Sequence, residues 1–303
     1  MNKTKAFGLI LSCLLLGASY VWAGPRIVTF DPSLKFADRV LAVESLGGEV
    51  TKDLHIIDAL AATFPDSVKD ASIYSLTGVR LVEEDKYIKW IEGWTLPQSC
   101  ATCGHNSANK SPSALPLSYV SDGLGLIQAG TDPELAPVPA KPVVTPEEQE
   151  IPWGVKRVNA AGAWNTNMGE GVKVAIVDTG MDFKHPDLAA HYAGGYNAVS
   201  TSTLPMDDHG HGTHVSGTIG AIRDVKGVVG VAPNAKLYAV KVLDANGSGS
   251  YSNVIDGIQW AADNGMKVIN MSLGGRSGTP ALASVMTAAD KAGVTIVCAA
   301  GND

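Results

Sequence analysis

Cysteine is scarce, with four in 303 residues at positions 13, 100, 103 and 298, too few and too scattered to staple a disulfide scaffold. A basic excess is lacking too: 23 Lys and Arg against 30 Asp and Glu leave a net charge of -7, which argues against nucleic acid as a partner. Beyond the amino terminus no apolar run approaches the length of about 20 residues that a membrane span needs, so no stable membrane span is expected. Only 17% of residues are charged and 45% are hydrophobic, which excludes a disordered chain and supports large buried cores in about two domains.

The chain opens on Lys3 and Lys5, an apolar run from Phe7 to Leu16 and the small-residue ending Val21-Trp22-Ala23. This reads as a secretory signal over residues 1–23, cut after Ala23, and implies a secreted, extracellular protein. Cys13 lies too early in it to suit a lipoprotein signal. Residues 24–92 alternate as strand, helix, two strands, helix and strand, a pattern that predicts a small α+β ferredoxin-like domain. Residues 93–147 are polar and carry prolines at 112, 116, 133, 137, 139, 142 and 146, which extend a linker rather than fold it. Within that linker Cys100 and Cys103 form a CxxC pair followed by His105. A redox pair or half a zinc site are possible readings, but no second pair completes a zinc site, and a local disulfide is expected.

From 148 to 303 the texture changes to strand then helix. The runs 172–177, 236–243, 267–271 and 294–299 are nearly continuous in apolar residues, as in a largely parallel sheet flanked by helices, an α/β architecture. Cys298 falls in the last of these and is expected to be a small buried residue.

Chemistry in such a sheet collects beyond the carboxyl ends of the strands. Three strands there run into polar segments: Asp178-Thr179-Gly180, Ser272-Leu273-Gly274-Gly275 and Gly301-Asn302-Asp303. Taken alone, an aspartate at a strand end does no more than cap a turn. The segment His211-Gly212-Thr213-His214-Val215-Ser216-Gly217-Thr218 opens a helix of small residues that must pack close to other backbone. His211, at the helix entrance, is placed to exchange protons, whereas His214, one turn inside, is expected to be a buried structural histidine.

Together these motifs, with Val174-Ala175-Ile176-Val177 leading into Asp178, resemble the subtilisin-like serine proteases from about Gln149 to the end. The resemblance implies an endopeptidase acting on polypeptides through an Asp, His, Ser triad in that chain order. Asp178 would orient His211, His211 would be the general base and then acid, and Asn302 would donate to the oxyanion. Gly247, Ser248 and Gly249, with Ser272, Leu273 and Gly274, would hold an extended substrate, and Tyr251 would wall a pocket. Gln149, Asp187 and Asp224, with the backbone oxygens of Ile222, Lys226 and Val228, match the family's structural Ca²⁺ site. Residues 24–92 resemble its propeptide, an intramolecular inhibitor and folding helper.

One element of the pattern is missing. The Gly-Thr pairs are followed by Asp132, His214, Ile219 and Pro280, never by the family's serine, so these 303 residues alone are expected to lack activity. The chain therefore reads as a C-terminally incomplete zymogen. Two alternatives stand beside this reading. One is a propeptide-type inhibitor or folding chaperone attached to a non-catalytic remnant. The other is a metal-dependent hydrolase using His209, His211 and His214 with Asp207 and Asp208, which leaves the later strand-end motifs unexplained.

Overall fold

The structure is a computed structural model that describes residues 22–93, 149–275 and 277–301. Most of the signal segment, nearly all of the linker with Cys100 and Cys103, and Asn302 lie outside the described residues. The chain divides into two compact units, one of residues up to Tyr87 with Gly278–Ala288, the other of Ile88–Ser277 with Ala289 onward.

In the first unit the strands β1 (Trp22–Phe30), β2 (Glu49–Leu54), β3 (Ala59–Pro65) and β4 (Val79–Glu84) form an antiparallel sheet in the order β2-β3-β1-β4. Helices α1 (Phe36–Ser45) and α2 (Asp70–Tyr74) complete the βαββαβ order expected from the sequence. Alternate residues of the central strands, Val28 and Phe30 with Leu60, Ala62 and Phe64, meet Val43 of α1 and Ile73 of α2 in one core. Two-residue periodicity in the strands meets helical periodicity across that layer. A short strand β5 (Tyr87–Lys89) follows.

The second unit is built on five parallel strands. They are β6 (Lys173–Asp178), β7 (Tyr192–Asn197), β8 (Lys236–Lys241), β10 (Val268–Met271) and β11 (Thr295–Cys298), in the order β11-β10-β6-β8-β7. The remaining elements are α3 (Trp153–Arg157), α4 (His211–Gly220), the short strand β9 (Ser248–Ser250) and α5 (Tyr251–Asp263), while α6 (Pro280–Lys291) belongs to the first unit as far as Ala288 and to the second from Ala289. Val174, Ile176, Leu237 and Ala239 are buried with Met181 and Leu188 in one core cluster of this unit. Burial on both faces explains why β6 and β8 read as apolar runs rather than as alternating ones.

Sheet order decides where a site forms. After β6 the chain lays down β7 and β8 on one side, then crosses to place β10 and β11 on the other. β6 is thus the strand at which the order reverses, and the crevice at such a reversal lies beyond its carboxyl end. Asp178 is the last residue of that strand.

Two expectations fail here. Among the described residues Cys298 is exposed rather than buried, with β11 at the end of the sheet beside β10 and its neighbour Val297 itself 49% exposed. His214 is also exposed, since it faces away from the side of α4 that buries His211, Gly212, Ser216 and Gly220.

Candidate active site

Asp178 arrives on β6 and His211 on the first residue of α4, 33 positions later. His211 Nδ1 lies 2.8 Å from Asp178 Oδ1 and 3.0 Å from Oδ2. A carboxylate facing Nδ1 favours the tautomer in which Nδ1 donates and Nε2 carries the lone pair. Asp178 is fully buried and takes a further bond from the Thr179 backbone N–H at 2.7 Å. The pair therefore has the tautomer and the low-dielectric setting that a general base needs.

Small residues bring the two elements this close. A Cβ on Gly212 would sit 2.1 Å from Gly180 O, so no larger residue fits at the second position of α4.

The start of α4 is held by Asp207, whose Oδ1 accepts from the N–H groups of His209 (3.0 Å) and Gly210 (2.9 Å). Its Oδ2 accepts from Thr213 N at 2.9 Å and Thr213 Oγ1 at 2.6 Å. The Thr213 N–H is a first-turn donor that the helix itself cannot satisfy, and the bonds from His209 and Gly210 fix the turn ahead of it. Burial pushes the Asp207 carboxyl upward, but the bonds from Thr213, Gly210 and His209 together outweigh it and leave its pKa below the usual 3.8. A depressed folded-state value stabilises the fold above the unfolded value and loses that contribution as pH falls through the folded value. Asp207→Asn is accordingly expected to be less stable than the wild type at pH 6, with the gap closing as pH falls below the usual carboxylate range, as denaturant melts would show. A gap independent of pH would contradict this.

Lys241, the last residue of β8 and in register with Asp178, is buried despite its charge. Its ammonium donates to Thr179 O at 2.7 Å, Leu243 O at 2.9 Å and Asp208 Oδ1 at 2.6 Å. All three ammonium donors are thereby satisfied. Sequence reasoning missed Lys241 and saw Asp207 only as part of a metal alternative. The spacing of Asp207 ahead of a helix entrance was the available capping signal. Among the described residues no three His, Cys, Asp or Glu side chains gather as metal ligands, and the Asp207 carboxylate is occupied as a cap.

The two peptide-edge segments are also placed, and a stretch of the same unit lies between them. Trp90 N donates to Gly247 O at 2.9 Å and Ile91 N to the same oxygen at 3.3 Å. From the other side, Gly274 N donates to Trp90 O at 3.1 Å. The Trp90 indole is 5% exposed, packs edge-on against Tyr251 at 4.9 Å and donates from Nε1 to Gly249 O at 2.9 Å. Tyr251 is fixed in turn by a hydrogen bond from its hydroxyl to Ser277 O. Ser272 Oγ accepts from Asn270 Nδ2 at 2.9 Å, and Leu273 is buried.

Elsewhere in this unit Gln149 Nε2 has Ile222 O at 2.7 Å, Lys226 O at 3.0 Å, Val228 O at 3.1 Å and Asp224 Oδ1 at 3.2 Å. An amide nitrogen carries two protons, so four oxygens around it are a surplus of acceptors. Asp187 joins the same loop, its Oδ2 accepting from Val228 N at 3.1 Å and its backbone oxygen from Ile222 N at 2.9 Å.

Residues 169–303 match the model of the subtilase family. Residues 169–303 form a subtilase domain. The chain is 47% identical over 172 residues to an alkaline protease of Alkalihalobacillus alcalophilus, covering 56% of this chain and 44% of that protein. It is 46% identical over 174 residues to subtilisin E of Bacillus subtilis strain 168, covering 57% of this chain and 45% of that protein. With a thermostable alkaline protease of Halalkalibacterium halodurans it shares 50% identity over 155 residues, 51% of this chain and 42% of the relative. The matched region spans somewhat less than half the length of these relatives. Both Asp178 and His211 fall inside the subtilase domain, whereas Gln149 precedes the matched residues.

Proposed function

We propose that the protein to which this chain belongs is a secreted serine endopeptidase made as a zymogen. The observation that carries this reading is the Asp178–His211 contact through Nδ1, at the order-reversing strand of a subtilase domain. Asp178 holds the imidazole and stabilises its protonated form; His211 takes the proton of a serine hydroxyl and returns it to the leaving amine. The serine is supplied from outside these 303 residues, and Asn302 donates to the oxyanion. A polypeptide of these residues alone is therefore inactive.

Substrates are polypeptides, held extended between Gly247–Gly249 and Ser272–Gly274 with Tyr251 walling a pocket. The lie of Trp90 and Ile91 supports this, because main-chain bonds from both edges grip a peptide as strand addition would. The same contacts support an inhibitory role for residues 24–92, whose tail fills the cleft until cleavage, and a folding role for that domain. Residues 1–23 direct export and are removed after Ala23.

Ca²⁺ is proposed as a structural ion held by Gln149, Asp187 and Asp224 with the carbonyls of Ile222, Lys226 and Val228. The surplus of oxygen acceptors fits a hard cation; Gln149 Oε1 accepts from Asp224 N at 3.0 Å, so binding the ion would require the amide to turn its oxygen toward the other ligands. Bound there, the ion ties the residues ahead of α3 to the 222–228 loop.

The test is hydrolysis of a peptide substrate by the protein expressed from its complete reading frame. Turnover blocked by a serine-directed reagent is expected, together with none from residues 1–303 alone; turnover by the 303-residue polypeptide itself would refute the reading.

A further inference from the structure

The Asp178–His211 bond joins the end of one element to the start of another, so something must fix β6 against α4. The hydrogen bond alone does not, because an imidazole can swing about its χ angles while the backbones drift. Behind the bond lies a second connection. Thr179, the residue after Asp178, donates from Oγ1 to Asp207 Oδ1 at 2.8 Å and accepts from the N–H of Gly212, the residue after His211, at 3.0 Å. Thr213 repeats the device: its hydroxyl donates to Asp207 Oδ2 at 2.6 Å and accepts from Asp182 N at 2.9 Å.

We propose that Asp207 and Thr179 are positioning residues for His211, a carboxylate–hydroxyl clamp that sets the reach of the imidazole toward Asp178. The inference rests on the serine-protease reading above. A plain helix cap would need only the N–H group of Thr213. The threonine hydroxyls add what a cap does not, a path from the helix start to the chain on either side of Gly180. Lys241 closes the arrangement by holding Thr179 O and Asp208 Oδ1 on one ammonium. Thr179 is fully buried, so neither water nor a mobile side chain substitutes for its hydroxyl.

Threonine and valine share a shape and differ in the hydroxyl, whereas serine keeps the hydroxyl and drops the methyl group. In the complete, processed protein, Thr179→Val is expected to lower kcat by about 10- to 100-fold with KM within twofold, since small misplacements of a catalytic group carry losses of that size. Thr179→Ser is expected to stay within about threefold of wild type, and Asp207→Asn to follow Thr179→Val. Thermal melts identify any variant whose loss reflects an unfolded fraction. A second readout needs no turnover: the ¹H resonance of the His211 Nδ1 proton should shift or vanish in Thr179→Val and persist in Thr179→Ser. Wild-type kcat in a folded Thr179→Val, or an unmoved proton resonance, would overturn the clamp. Should the wild type hydrolyse no peptide, the protease reading fails while the proton resonance still decides the positioning role.

Discussion

His211→Ala in the complete protein is expected to lower kcat for peptide hydrolysis by about a million-fold with little change in KM. The magnitude comes from measurements on subtilisin itself rather than from this geometry; there the histidine alone is worth about two million-fold. The geometry explains why His214 does not substitute. The imidazole is aligned by a fully buried carboxylate at 2.8 Å, and His214, the nearest histidine on α4, is exposed on another side of the helix. Asp178→Asn should cost less, about ten thousand-fold, because the amide keeps the shape but turns an N–H toward Nδ1 and favours the wrong tautomer. Active-site-titrated kcat values check both, and a loss under a hundredfold for either variant would remove the pair from the mechanism.

The second large effect concerns stability. If Gln149, Asp187 and Asp224 hold Ca²⁺, saturation at about a thousand times Kd stabilises the folded state by about 4 kcal/mol. For a unit of roughly this size each kcal/mol moves Tm by about 2–4 °C, so chelation should lower Tm by about 8–16 °C. Without the ion, three carbonyls and a carboxylate crowd one amide. Asp187→Ala removes an oxygen ligand and should make Tm insensitive to chelator. Calorimetry with and without chelator measures both effects. An unchanged wild-type Tm would show that the oxygen cage holds no cation of consequence.

Much of the fold was legible because its signals are local. β6, β8, β10 and β11 are short apolar runs bounded by glycine or polar turns, and their length, flanks and branched residues place them. β7 escaped notice because Tyr192-Ala193-Gly194-Gly195-Tyr196-Asn197 lacks branched residues; a Cβ on Gly195 would lie 2.1 Å from Ala239 O, so strand pairing there demands glycine. That Asp178 and His211 would meet was expected from the ordered motifs around them, since a strand-end aspartate alone reads as a turn cap. Lys241 was not, since a lysine at a strand end ordinarily faces water, and only three converging oxygens make its burial tolerable.

The misread residues share a cause. Burial of Cys298 was inferred from an apolar run, but exposure depends on which strand is at the edge, a property of sheet order rather than of local sequence. His214 was assigned to the core from its place inside a helix, yet the buried stripe of α4 follows Gly212 and Ser216 instead. Trp90 could not be placed in advance because its partner Gly249 is 159 positions away.

The most direct test of the central claim is covalent labelling of the complete protein by a serine-directed reagent. The account predicts one labelled serine per molecule, located after residue 303, with labelling and hydrolysis lost together in His211→Ala. Hydrolysis that is insensitive to the reagent, or undiminished in His211→Ala, would contradict it.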